Sequence, residues 1–137
     1  MTVTWQDITA ITEARGGTRA WQDGSTRAWY FPSPTGGTFS AEVTLCPRWC
    51  SVAVDRIRTT DRDEARSQRW FEQHAWPLVD RALKARHKTR PRDRGFLPSG
   101  GGAFASASPL DRADVPGLLA AWIDAELGWG LPCDPEG

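Results

Sequence analysis

The chain has 137 residues, with 17 basic and 17 acidic side chains, 39% hydrophobic residues and 25% charged ones. That balance fits one globular domain with a core of its own, and it excludes a disordered chain and a uniformly basic nucleic-acid binder. No run approaches the roughly 18 apolar residues needed to cross a bilayer, and residues 1–12 lack the pattern of a secretory leader, so a cytoplasmic protein with no membrane contact is expected.

Of the basic residues, only Lys84 and Lys88 are not Arg, which points to a GC-rich genome of bacterial or phage type. That bias is mutational and carries no functional weight. Eight Trp stand against one Tyr. Charge is unevenly spread: residues 46–94 hold 13 basic and 7 acidic side chains, whereas residues 95–137 hold 1 and 6. A local basic surface is therefore compatible with the neutral total.

Thr4 can cap a first helix, with Asp7 in its first turn and Gly16 and Gly17 at its end. A hairpin should follow, because Thr18-Arg19-Ala20-Trp21 recurs as Thr26-Arg27-Ala28-Trp29 around Asp23-Gly24. A two-residue Asp23-Gly24 loop would put Trp21 and Trp29 on opposite faces. A three-residue loop, the reading favoured here, puts Arg19, Trp21, Arg27 and Trp29 on one face, with Trp21, Trp29 and Phe31 turned to the core.

Phe39, Ala41, Val43 and Leu45 alternate with Thr38, Ser40, Glu42 and Thr44, the pattern of a half-buried third strand. Pro47 ends it, and a fourth strand is expected over residues 49–59. A long helix over 61–86 follows, capped by Asp61 and Glu64, with Phe71, Ala75, Leu78, Val79, Ala82 and Leu83 on one face. Pro77 should kink it or restart it. Residues 95–110, rich in Gly, Ser and Ala, read as a flexible loop. A last helix should start at Asp114 with Pro116 near its first turn, and should end at Gly128. Residues 129–137 read as an irregular tail.

The expected fold is thus a single α+β domain: an N-terminal helix, a four-stranded, mostly antiparallel sheet, the long helix packed on one sheet face, and a C-terminal helix. The expected core is Ile8, Ile11, Trp21, Trp29, Phe31, Phe39, Val43, Leu45, Val52, Val54, Phe71, Leu78, Val79, Leu83, Leu118, Leu119, Trp122 and Ile123.

Two surfaces are candidates for chemistry. Arg81, Lys84, Arg86, Lys88, Arg90, Arg92 and Arg94 form a basic run that could contact phosphates, although cations also suit a helix C-terminus for structural reasons. Arg19, Trp21, Arg27 and Trp29 could stack bases, or could instead be core aromatics with arginines at the rim. Cys46, Cys50 and Cys133, with His74 and His87, lack the paired spacing of a zinc site, so no metal and no cofactor are expected and the thiols should be free. No nucleophile elbow, P-loop or dinucleotide fingerprint occurs.

The leading expectation is a non-enzymatic interaction module acting on a protein partner or on a second copy, since Trp and Arg anchor interfaces. A nucleic-acid or polyanion binder working through 81–94 is the alternative, and a small enzyme with a pocket near the 95–110 loop is a third. A working surface would be expected within 81–110.

Overall fold

The computed structural model describes residues 2–56, 66, 69–84, 94–99 and 102–128. The elements are α1 (Trp5–Ala14), β1 (Thr18–Asp23), β2 (Thr26–Pro32), β3 (Thr38–Leu45), β4 (Cys50–Asp55), a π-helical turn (Phe71–Ala75) running into α2 (Trp76–Lys84), β5 (Arg94–Ser99), β6 (Gly102–Leu110) and α3 (Val115–Leu127). The protein is α+β as expected, but the sheet has six strands in the order β1-β2-β3-β4-β6-β5, with every neighbouring pair antiparallel.

The two added strands are where a loop over 95–110 was expected. In β6, Ala105 and Ala107 are fully buried while Ser106 and Ser108 are half-buried. The two-residue period is present, but its amplitude is only Ala against Ser, which reads as loop composition. The residues are small because α2 and β6 pack against one another, leaving no room for branched side chains. β6 shifts register between Val52↔Ala107 and Cys50↔Leu110, which places Pro109 where the ladder is interrupted.

The helix signals hold. Thr4 accepts from the Asp7 backbone N–H, and Asp7 accepts from the Thr4 backbone N–H, a reciprocal capping box. Pro77 is the second residue of α2 and follows the π-helical turn directly. Its ring and missing N–H are incompatible with an α-helical bond to residue 73, and the wider turn is one way to accommodate that. The Asp61 cap lies outside the described residues, as does the 129–137 tail. α3 begins after a short 3₁₀ turn (Arg112–Asp114), carries Pro116 in its first turn and ends at Gly128.

One face of the sheet holds the core. Trp29, Ala41, Val54 and Ala105 form one row across four strands, and Val43, Val52 and Ala107 form the next. Against these the helices place Ile8 from α1, Val79 from α2, and Leu118, Leu119, Trp122 and Ile123 from α3. Ile11 and Leu78 are only partly buried at the margin. Arg15 at the end of α1 ties that helix to Asp124 of α3 at 2.8 Å, and Arg56 after β4 ties the sheet to Glu126 of α3 at 3.2 Å.

Candidate functional site

The hairpin repeat resolves in a way that decides the surface. Asp23 pairs with Thr26, so the connection is the two-residue Gly24-Ser25 turn and neither of the expected loops. Gly24 has φ +57°, a conformation that glycine adopts without steric cost. Arg19 pairs with Trp29, but Trp21 pairs with Ala28, so Ala20 is the extra residue of a β-bulge. The two-residue turn sets Trp21 and Trp29 on opposite faces, and the bulge brings Arg19 back to the Trp29 side. Trp29 is fully buried in the core, whereas Trp21 lies on the opposite face and is 40% exposed.

The expected Arg/Trp surface therefore does not exist as a unit. Arg19 lies over the Trp29 ring at 5.5 Å, and Arg27 lies over Trp5 at 4.5 Å. Both guanidinium groups are spent on the core-side tryptophans, the rim arrangement of an arginine with an apolar stem. Trp21 is likewise removed from the expected core.

The reversal of Trp21 gives the second face of the sheet its character. One row crosses the strands as Trp21, Ala28, Glu42, Ala53 and Ser106. The adjacent rows are Asp23, Thr26, Thr44 and Ser51 on one side, and Tyr30, Ser40 and Asp55 on the other. Trp49, in the turn between β3 and β4, is 43% exposed and borders the same surface. A shallow groove of about 370 Å³ runs between Trp21 and Trp49 over Thr26, Glu42, Thr44, Ser51, Ala53, Ser106 and Ser108. A smaller recess of about 150 Å³ continues beside Tyr30, Ser40, Glu42 and Asp55.

Glu42 sits at the centre of this face. Its directly opposed neighbours are Ala28 and Ala53, neither of which can bond to it. Burial pushes its carboxyl above the ordinary 4.5, and the nearby Asp55 charge pushes it the same way. Among the described residues that line the groove and recess there are three carboxylates, Asp23, Glu42 and Asp55, and no basic side chain.

The basic run is placed only in part. Arg81 is exposed on α2 and borders a groove of about 400 Å³ between α2 and α3, with Leu78, Ala82, Asp114, Gly117 and Leu118. Lys84 is the last residue of α2, and Arg94 opens the edge strand β5. Arg86, Lys88, Arg90 and Arg92 lie outside the described residues. Of the described residues in the interval 81–110, Ser106 and Ser108 line the groove between the tryptophans.

Cys46 and Cys50 flank the β3–β4 turn as free thiols, while Cys133 and His87 lie outside the described residues. His74 is exposed, with its ring centroid 4.1 Å from that of Trp70. Among the described residues no group of three His, Cys, Asp or Glu is placed to hold a metal ion, and no helix is long and apolar enough to cross a membrane. Compared with known proteins, the chain matches no family model, no curated protein and no solved structure.

Proposed function

We propose that this chain is a non-enzymatic protein-binding module and that the sheet face opposite the core, which carries Trp21 and Glu42, is the working surface. The carrying observation is the pair of exposed tryptophans. Trp21 and Trp49 are the large apolar side chains most open to water among the described residues, and both border one groove. A scattered exposed apolar residue needs no explanation, but two Trp on either side of one concave surface resemble the anchors of an interface. The floor between them is built from Ala, Ser and Thr, which lets another backbone approach closely.

The test is selection of peptides from a random display library on the purified chain, followed by binding of the selected peptides to the double variant Trp21→Ser/Trp49→Ser. Peptides that bind the parent should lose at least tenfold in affinity on the double variant, the loss expected when aromatic anchors are removed. Peptides should bind a control variant on the exposed side of α1, Glu13→Gln, as they bind the parent. Selected peptides that bind the double variant unchanged would show that this face is not the working surface.

A further inference from the structure

Resting on that reading, we infer that the occupant of the sheet face is an extended, arginine- or lysine-bearing segment of a partner protein, with one cationic side chain placed on Glu42 between Trp21 and Trp49.

Charge carries the choice of occupant. Glu42 and Asp23 line the groove as acidic side chains, and no Lys, Arg or His is among the described residues lining it. The chain as a whole is neutral, so this is a local property of the face. Glu42 has no hydrogen bond or ion pair among the described residues. It stands between two alanines, in a position where a half-buried carboxylate lacks a neutralising neighbour. An incoming cation would supply that neighbour, and a charge-assisted bond is stronger in such a partly desolvated place than in open water.

The aromatic frame fits the same chemistry. Trp21 is two strands from Glu42 along one row, or about 10 Å at the usual strand spacing. Trp49 lies opposite Cys46, four residues beyond Glu42 and one strand over, or about 14 Å at the usual rise and strand spacing. Both rings are thus near enough to flank a segment whose central side chain meets Glu42. A guanidinium or ammonium group also gains from an indole face.

The alternatives fit less well. Pairing this face with a second copy across a two-fold axis would set the three carboxylates against their own equivalents. A nucleic acid would bring phosphates to the same acidic side chains.

The experiment uses the purified full chain and two labelled peptides of alternating Ser and a second residue. In one peptide that residue is Arg. In the other it is citrulline, which keeps the shape and loses the charge. Binding is read by fluorescence anisotropy at low and moderate salt, with the mass of the free chain followed by light scattering. The Arg peptide should bind at least tenfold more tightly than the citrulline peptide. That preference should shrink severalfold in Glu42→Gln and in Trp21→Ser, each checked for unchanged circular dichroism.

Equal binding of the two peptides, still lost in Trp21→Ser/Trp49→Ser, would overturn the cationic occupant and leave the working face intact. Preference for Arg that survives all of these substitutions would place the cation elsewhere and overturn the inference. Concentration-dependent dimers abolished by Trp21→Ser would make a second copy the occupant, again overturning it. Failure of both peptides to bind at low salt would do the same.

Discussion

The Nε of Arg56 lies 3.2 Å from a carboxylate oxygen of Glu126, and each side chain is only 1% exposed. The pair joins the residue after β4 to the last turn of α3, in a place with little water to solvate either charge. Burial pushes the Glu126 carboxyl up from 4.5 to about 7, against the opposing pull of the Arg56 charge. Between those two values the folded chain holds a proton that the unfolded chain has released. Stability should therefore fall as pH rises from about 4.5 to about 7, and this contribution should be flat outside that window. The loss amounts to something on the order of 3 kcal/mol across the window. Urea denaturation of the parent and of Glu126→Gln over this range should show a steeper pH dependence in the parent, and parallel curves would contradict it.

The two tryptophans of the hairpin repeat should differ sharply in their effect on folding. Trp29→Ala removes a fully buried side chain and should cost about 3–5 kcal/mol. Trp21→Ala removes an exposed one and should cost less than about 1 kcal/mol. Chemical denaturation of the two variants measures this directly. Similar large losses would mean that Trp21 is core and that the hairpin does not turn at Gly24-Ser25.

The weak Ala/Ser period of β6 should also be visible in substitution. Ala107→Leu adds methylenes to a fully buried position facing Val52, and overpacking of that kind costs about 1–3 kcal/mol or more. Ser106→Leu points to the open face beside Ala53 and should change stability by less than about 1 kcal/mol. Thermal melts of both variants would show the asymmetry, and equal tolerance would argue for a loop at these residues.

Gly17 should not accept a side chain. A Cβ there would sit 2.8 Å from two ring carbons of Phe31 and 2.8 Å from the Thr12 carbonyl oxygen. Gly17 also donates its N–H to that same carbonyl at 2.9 Å, so the loop cannot easily swing away. Gly17→Ala should lower stability by about 1–3 kcal/mol. Gly117→Ala, where a Cβ meets nothing within 4 Å, should be neutral or slightly stabilising because it improves helix propensity. Melting temperatures that move together for the two variants would refute the contrast.

Where a local signal was strong, it was legible. The Thr4–Asp7 capping box, the restart at Pro77, the alternation of β3 and the glycine after α3 are all written within a few residues, because backbone hydrogen bonds and steric limits act over one turn. β5 and β6 were not legible. β6 pairs with β4, which lies about fifty residues away in the chain, and its small residues under a helix leave little hydrophobic contrast to read, while β5 pairs only with β6 and so depends on it.

The site followed the same division. By itself the sequence determined the ends of α1 and α3, the first four strands and most of the core, since those depend on spacing and side-chain size. Only the tertiary structure decided which tryptophans meet water. The two-residue Gly24-Ser25 turn pairs Trp21 with Ala28 and so sets Trp21 and Trp29 on opposite sides of the sheet, since a one-residue change of register reverses every side chain of a strand, and the extra residue Ala20 then returns Arg19 to the Trp29 side. Glu42 drew no notice in the sequence, as an ordinary polar position in an alternating strand. It became the centre of a negative groove only when Ala28, Ala53 and the two exposed tryptophans were brought around it.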